Sequence, residues 1–369
     1  MNVGILGGGQ LARMLALAGW PLDIRCRTID PDPYACSGSV APLTAIPFDD
    51  STRILEWIKD MDVITYELEH IPQATIESLP ASRLHPPAQA LLATQDRLLE
   101  KKLCEKLSIP TAAFSPVAHV NELRNAIGRL GLPAVLKTRR YGYDGKGQWI
   151  ITQATPLEPF FGRVGTMVPL IVEQHVDFEW EAALAAVRAL DGTTRFYPLT
   201  RTHQEKGILR WARPLLPNEQ SAGIEPQARE IMMALLEALN YVGVMVIEFF
   251  VTANGLLVNE MAPRVHNSAH WTIEGAECSQ FENHLRAICG YPLGATESVG
   301  HCATVNLVGH VMSMNQLLSL PGLHLHLYGK MPRPGRKLGH VTLRHQDSGN
   351  LTRSLDQVLK YTKEPLIKS

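Results

Sequence analysis

The 369-residue sequence predicts a mixed α/β (α+β) fold in more than one domain. Three observations carry this. Apolar strand segments alternate with amphipathic helical ones over about the first hundred residues, the pattern of a doubly wound parallel unit. From LPAVLKT onward the pattern changes to strand–turn–strand, which builds antiparallel sheet. The length also exceeds what one hydrophobic core usually serves, so two or three domains are expected.

Taken in order, residues 2–6 read as a buried strand, 10–19 as a helix and 22–29 as a second strand ending in the turn-rich DPDPYACSG. A helix near 51–59 and the apolar strand VITYE follow. Residues 94–107, TQDRLLEKKLCEKL, form a charged amphipathic helix that bridges to the next unit. LPAVLKT and QWIIT then pair as a hairpin around a glycine-rich turn. Residues 169–190 are strand-like, 225–239 helical and 242–260 strand–turn–strand. The tail from 301 reads as short strands and one helix over 350–360. No internal repeat, low-complexity segment or heptad run is present.

Composition narrows the function classes. With 45% hydrophobic and 19% charged residues the chain is ordinary globular protein. Its 35 basic and 36 acidic side chains leave a formal net charge of −1, which argues against a nucleic-acid partner. Six cysteines (Cys26, Cys36, Cys104, Cys278, Cys289, Cys302) form no CxxC pair and read as free thiols in a reducing compartment. No apolar run approaches a membrane span, and the N-terminus has no basic n-region, so a cytoplasmic protein without membrane association is expected.

Two glycine loops carry chemistry. In VGILGGGQLAR, Gly7-x-Gly9-x-x-Ala12 fits the dinucleotide fingerprint, and Asp30 lies at a distance suited to a ribose hydroxyl. The loop physics says only that backbone N–H groups approach an anion at a helix N-terminus. A dinucleotide, another phosphorylated ligand and a bare tight turn all satisfy it. Gln10, placed to point into the same cleft, favours the second. The other loop, KTRRYGYDGKGQ at 137–148, lacks the Gly-Lys-Ser/Thr of a Walker A motif. Its glycines and cations suit either a flap over a triphosphate, with Lys137 on phosphate oxygens, or a solvated basic turn.

VGVMVIEFFVTANGLLVNE holds the most informative pair. A three-residue loop of Ala253, Asn254 and Gly255 pairs Thr252 with Leu256 and sets Glu248 opposite Glu260. Facing carboxylates in an apolar ladder repel unless a hard cation such as Mg²⁺ lies between them. A two-residue loop would place them on opposite faces. Asn259 beside Glu260 adds a further oxygen ligand or phosphate donor.

Other segments stay open between chemistry and structure. APRVHNSAHW gathers Arg264, His266, Asn267, Ser268 and His270. His266 and His270 have the spacing of a helical zinc pair, but no Glu follows and no third ligand is evident, so a substrate-binding turn is preferred. Lys330, Arg333, Arg336 and Lys337 in YGKMPRPGRKLGH form either a phosphate cradle or a solvated turn, and HLHLY reads as plain strand. Glu173 and Glu181 in VEQHVDFEWE either accept from a nucleotide or sit exposed. Glu67 and Glu69 in TYELEH lie at the carboxyl edge of a strand, where open α/β sheets bind ligands.

Together, GILGGGQLARM, DRLLEKKL, YGYDGKGQW, VEQHVDFEWE, FYPLT, YVGVMVIEFFV, NEMAPRVHNSAHWT, QFENHLRAI and RPGRKLGHV resemble the ATP-grasp superfamily. More narrowly they are similar to the N5-carboxyaminoimidazole ribonucleotide synthetase family, in order and over nearly the whole chain. The resemblance implies an ATP-grasp fold: a Rossmann-like domain at 1–100, an ATP-grasp domain at 101–290 with a mobile lid at 113–175, and a completing C-terminal segment at 291–369. It implies ATP contacts from Arg97, Lys137, Gly142, Tyr143, Asp144, Gly145, Lys146, Gly147, Gln148, Glu173, Gln174, His175, Val176, Glu181, Asn259 and Glu260. Glu248 and Glu260 would hold Mg²⁺ or Mn²⁺. The ribonucleotide would lie against Gly9, Gln10, Leu11, Glu67, Tyr143, Arg264, His266, Asn267, Ser268, Lys330, Arg336 and Lys337.

The implied reaction joins bicarbonate to 5-aminoimidazole ribonucleotide at the expense of ATP, through carboxyphosphate, in purine biosynthesis, by a homodimer. Asp144, Lys146 and Arg264 would be catalytic, Arg264 holding bicarbonate and Asp144 steering the amine or its proton. Two positions depart from the family pattern. Tyr141 stands where a second glycine is usual and either stiffens the lid or points outward. Gln204 stands where a nucleotide-contacting histidine is usual, with His203 beside it. Three other readings remain: a formate-dependent glycinamide ribonucleotide ligase, an NAD-dependent dehydrogenase, and a non-catalytic nucleotide-binding module.

Overall fold

Near-continuous apolar strands with helices between them build a parallel sheet at the N-terminus of the computed structural model. The model describes residues 1–142, 145–164, 169–216, 219, 223–311 and 313–362. β1 (Asn2–Leu6), β2 (Arg25–Asp30), β3 (Leu43–Ala45) and β4 (Val63–Tyr66) run parallel in the order β3-β2-β1-β4. β1 and β4 are buried on both faces, which is why they read as unbroken apolar runs rather than alternating ones.

The glycines after β1 have a defined task. Glu67 follows β4 and turns its carboxylate onto the start of the helix Gln10–Gly19. It accepts from the N–H groups of Gly9 (2.7 Å), Leu11 (3.1 Å) and Ala12 (3.2 Å). A Cβ on Gly9 would sit 2.6 Å from Glu67 Oε1, so only glycine admits the carboxylate there. Asp30 Oδ2 accepts from Gly8 N at 2.9 Å. The anion that the loop receives is therefore the chain's own, and the Asp30 carboxylate serves the loop itself.

Two antiparallel sheets follow. β5 (Phe114–Val117), β6 (Ala134–Thr138), β7 (Gln148–Ile151) and β8 (Leu170–Gln174) form a small sheet in the order β5-β8-β6-β7, with Lys137 paired to Gln148 across the expected hairpin. β9 (Trp180–Arg188), β10 (Thr194–Phe196), β11 (Thr200–Glu205), β12 (Ile208–Pro214), β13 (Gly243–Thr252), β14 (Gly255–Ala262), β15 (His301–Val308), β16 (Leu323–Leu327) and β17 (Lys337–His345) form the large sheet. Its order is β14-β13-β9-β11-β12-β15-β17-β16, with β10 on β9. The helix Ile224–Ala238 packs Ala228, Met232, Leu235 and Leu236 onto one face of it, against Leu184, Met245 and Ile247. The helix Gln280–Ile288 covers the other face and meets the helix Gln10–Gly19 of the N-terminal sheet. The small sheet and the large one face each other across a cleft lined from both.

His284 pins the N-terminal sheet to the large one. It is fully buried; its Nδ1 accepts from Val244 N (3.1 Å) and its Nε2 lies 2.9 Å from Thr65 Oγ1. The bond accepted by Nδ1 requires the neutral ring, and burial with His85 nearby lowers its pKa to about 3. An unfolded histidine takes up its proton near the ordinary value of about 6.5. Stability is therefore lost as pH falls from that value toward 3, with a slope of about 1.4 kcal/mol per pH unit. His284→Gln is expected to lessen that slope by the share of one proton in pH-dependent thermal unfolding, while the buried His266, His270 and His340 keep theirs. An unchanged slope would place the titration elsewhere.

Candidate active site

The two glutamates meet by a route different from the expected one. The β13–β14 turn has two residues, since Thr252 pairs with Gly255 and Phe249 with Val258. Continued unbroken, that register would set Glu248 against Asn259. A β-bulge after Glu248 adds one residue, so that Glu248 pairs with Glu260 after all. The three-residue loop is thus corrected, while the pairing deduced from it stands. Burial, Glu260 and Glu181 raise the pKa of Glu248, and its Oε2 accepts from Gln204 Nε2 (3.1 Å). Burial would raise the Glu260 pKa, but Arg97, whose Nη1 lies 3.0 Å from its Oε2, together with Lys137 and Arg264 more than offsets it and lowers the pKa. Like charges placed this way favour a shared cation.

Cations line the same space. Lys137, at the end of β6, donates to Glu173 Oε2 at 2.8 Å, and the buried Lys101 lies 3.6 Å from that oxygen. Burial alone would raise the Glu173 pKa; the two lysines more than offset it and hold it at about 2. Glu173 therefore fixes Lys137, and its Oε1 has no hydrogen-bond partner among the described residues. Arg97, Lys137, Gly145, Lys146, Gln148, Glu248, Asn259, Glu260, His266, Asn267 and Lys337 surround one cavity. The adjoining cavity extends between the two sheets along Gln174, His175, Val176 and Glu181 to Phe178 and Phe250, whose rings stack at 4.8 Å. A polar end with an aromatic far wall suits a nucleotide. Gly147 takes φ +71° where a Cβ would collide with Thr138, so it shapes the flap. Tyr143 and Asp144 lie outside the described residues.

Both family departures have a place. The β11–β12 register shifts between His203 and Gln204. Gln204 faces Glu248 and lines both cavities, whereas His203 stacks on Trp211. Tyr141 is 64% exposed and borders the cavity that Glu69, Arg97 and Glu260 also line.

The turn after β14 forms the other end. Arg264 Nη2 lies 2.6 Å from Glu69 Oε1, and Arg264 lines a third cavity with Glu69, Arg97, Gly142 and Glu260. Arg264 Nε and both amide atoms of Asn267 are buried with no hydrogen-bond partner among the described residues. Native proteins leave few such atoms, and three at one turn mark a place where a ligand completes the bonding. His266 lies outside any helix, capping the short turn Asn267–Ala269. Its Nδ1 is 3.0 Å from Ser268 Oγ and 3.8 Å from Glu248 Oε1. His270 turns away against Phe281 and His340, so the two histidines form no helical pair. Gln10 Oε1 accepts from Lys330 Nζ, which joins the N-terminal loop to the basic loop. Arg336 donates to Met331 O (3.2 Å) in that loop, and Lys337 reaches the cavity of the paired carboxylates. Gly9 and Leu11 present N–H groups already taken by Glu67, leaving the Gln10 side chain as the reach of that loop.

Sequence reasoning passed over Glu100 and Lys101. Both are buried beneath the carboxylate pair, Glu100 accepting from Met261 N and Lys101 donating to Val258 O and Asn259 O. Residues 97, 100, 101 and 104 share one face of the helix Arg97–Lys106, but nothing in the helix itself marks that charged face as the buried one.

The chain matches three families along its length: the ribonucleotide synthetase preATP-grasp domain over 1–95, the ATP-grasp domain over 102–281 and the phosphoribosylaminoimidazole carboxylase C-terminal domain over 302–354. It is 44% identical over 359 residues to the N5-carboxyaminoimidazole ribonucleotide synthase of Pseudomonas aeruginosa, covering 97% of this chain and 98% of that protein. The crystal structure of the synthetase from Thermus thermophilus superposes with a TM-score of 0.92 at 44% identity, over the whole of both chains. That of the Aspergillus clavatus enzyme, solved with ADP and 5-aminoimidazole ribonucleotide, gives 0.89 at 27% identity over 98% of each chain. Among the described residues, no helix is long and apolar enough to cross a membrane.

Proposed function

The chain belongs to the N5-carboxyaminoimidazole ribonucleotide synthase family, and from that premise we infer how its residues perform the family's work. It is an ATP-grasp ligase that carboxylates 5-aminoimidazole ribonucleotide at the expense of ATP, in purine biosynthesis. One observation carries the assignment of the site. The facing Glu248 and Glu260 adjoin a turn whose Arg264 and Asn267 keep buried polar atoms unpaired.

In this reading ATP lies between the small and large sheets. Its base rests near Phe178 and Phe250, and its phosphates run toward Lys137, Lys146 and Arg97. Two carboxylates with the Asn259 amide beside them fit a hard divalent ion that completes its shell with phosphate and water. Mg²⁺, or Mn²⁺, held there would neutralise charge on the phosphate oxygens. Glu173 keeps Lys137 extended toward the γ-phosphate, so the cation is in place before charge develops. Arg264 and Asn267 hold bicarbonate, whose oxygen attacks the γ-phosphorus as the bond to ADP breaks, giving carboxyphosphate. The exocyclic amine of the ribonucleotide then bonds to the carboxyl carbon, either with phosphate as the leaving group or after carboxyphosphate has split to phosphate and CO2, and the amine gives up a proton, with Asp144 as the group that steers it. Gln10, Lys330, Arg336 and Lys337 draw the ribonucleotide phosphate. The flap 142–148 closes over the site and keeps water from the labile intermediate. The division 1–100, 101–290 and 291–369, a homodimeric state and a cytoplasmic location complete the proposal.

ADP release measured against both substrates tests it. Strict dependence on 5-aminoimidazole ribonucleotide and bicarbonate is expected. Release driven instead by formate and glycinamide ribonucleotide would overturn the assignment.

A further inference from the structure

Tyr141 holds a backbone conformation that side chains avoid. Its φ of 64° lies in the left-handed region, where the Cβ of a bulky residue crowds its own backbone. Such a conformation persists only where the surroundings over-determine it, and it clusters at functional sites. The surroundings here are specific. Arg97 N donates to Arg139 O (2.9 Å), and Arg139 and Arg140 pair with Asp96 at 2.6 and 3.5 Å. Arg97 Nη2 also reaches Gly142 O (3.5 Å). The segment between β6 and the flap is thus tied on both sides of Tyr141 to the residue that holds Glu260.

The ring does something the backbone ties do not. Its centroid lies 5.4 Å from that of His70, the planes tilted by 44°. His70 follows β4 of the N-terminal sheet, so this contact crosses from the base of the flap to the first domain. Tyr141 and His70 line the same cavity as Glu69, Arg97, Glu260 and Arg264.

We propose that Tyr141 is a positioning residue, whose ring docks on His70 to wall the acid-substrate end of the cleft and to set the flap base against the N-terminal domain. The wall shares no lining residue with the aromatic pocket between Phe178 and Phe250, so its larger effect falls on ribonucleotide and bicarbonate.

The proposal rests on the function given above, and two measurements on Y141G, Y141F, H70A and Y141G/H70A separate the two. In steady-state kinetics, Y141G is expected to raise KM for 5-aminoimidazole ribonucleotide and bicarbonate roughly three- to tenfold, with KM for ATP and kcat held within about twofold. Y141F, which keeps the ring, behaves as the unaltered protein. H70A matches Y141G, and the double variant is no worse than either single one. Unchanged KM values in Y141G, or single effects that multiply in the double variant, would overturn the proposal. Thermal unfolding of the same proteins needs no turnover. Non-additive Tm shifts for Y141G and H70A support the contact, and additive shifts reject it, even if the unaltered protein lacks the expected activity.

Discussion

Glu260→Gln is expected to lower kcat by roughly 10³-fold while the protein stays folded. The side chain is 45% exposed toward the cleft, and the amide is nearly isosteric, so little packing is lost. What changes is charge. The proposed cation keeps one carboxylate of two, and Arg97 loses the partner that holds its guanidinium beside the phosphates. The pH dependence supplies a second readout. Burial and the neighbouring Glu260 raise the pKa of Glu248, so a proton competes for the cation's place. In the unaltered protein, apparent Mg²⁺ affinity should weaken, and the half-saturating Mg²⁺ rise, as pH falls through that raised value, because protonated Glu248 must ionise before the ion binds. With Glu260 neutral the repulsion is gone, Glu248 ionises at lower pH, and this dependence moves to more acid conditions. Rates at varied Mg²⁺ across pH check both statements. A variant within tenfold of the original kcat, with its Mg²⁺ profile unmoved, would remove Glu260 from the metal site.

The pairing of Glu248 with Glu260 shows how far a sequence carries such an argument. Strand parity around Ala253-Asn254-Gly255 is local information, and it brings the two carboxylates to one hairpin. The bulge at Asn259 is not local: it reflects how β14 fits β13 and the loop before β5, where Thr111 bridges Val258. Two departures from the expected register cancel, and only the structure reveals either. The glycine loop follows the same logic. An anion at the start of the helix Gln10–Gly19 was legible from GGGQL, yet its identity as Glu67 depends on a strand 58 residues away. The hairpins around 137–148 and 252–255 and the helices Gln10–Gly19, Arg97–Lys106 and Ile224–Ala238 were readable from periodicity, while Val120–Leu130 and Gln280–Ile288 were passed over. The helices Gln73–Ser78 and Leu157–Val164 are about two turns or shorter, too brief to develop a 3.6-residue pattern. Charge misled most in TQDRLLEKKLCEKL. Exposure is the ordinary fate of Lys101, and its burial follows from carbonyls of β14 and from Glu173, which the helix alone does not disclose.

Arg264→Ala is expected to raise the bicarbonate requirement by about 10²-fold, the scale of about 3 kcal/mol typical for truncating one member of a shielded charge pair. That figure contains two contributions, and a second substitution separates them. Arg264 Nη2 pairs with Glu69, while its Nε is buried without a partner among the described residues. Truncation both removes a donor from the acid-substrate end of the cleft and leaves the Glu69 carboxylate unpaired in a part-buried place. Glu69→Gln removes that second cost. If Arg264 served only to neutralise Glu69, the double variant Arg264→Ala/Glu69→Gln would recover a normal bicarbonate dependence. If Arg264 holds the bicarbonate itself, the double variant stays impaired, with KM for ATP near its original value because Lys137 and Glu173 lie elsewhere in the cleft. Arg264→Lys adds a geometric control: an ammonium keeps the charge but not the planar fork, so partial recovery is expected. Initial rates in bicarbonate-depleted buffer distinguish these outcomes. A normal dependence in Arg264→Ala alone would place the acid substrate on other residues, with Asn267 and Lys337 of the adjoining cavity the donors to test next.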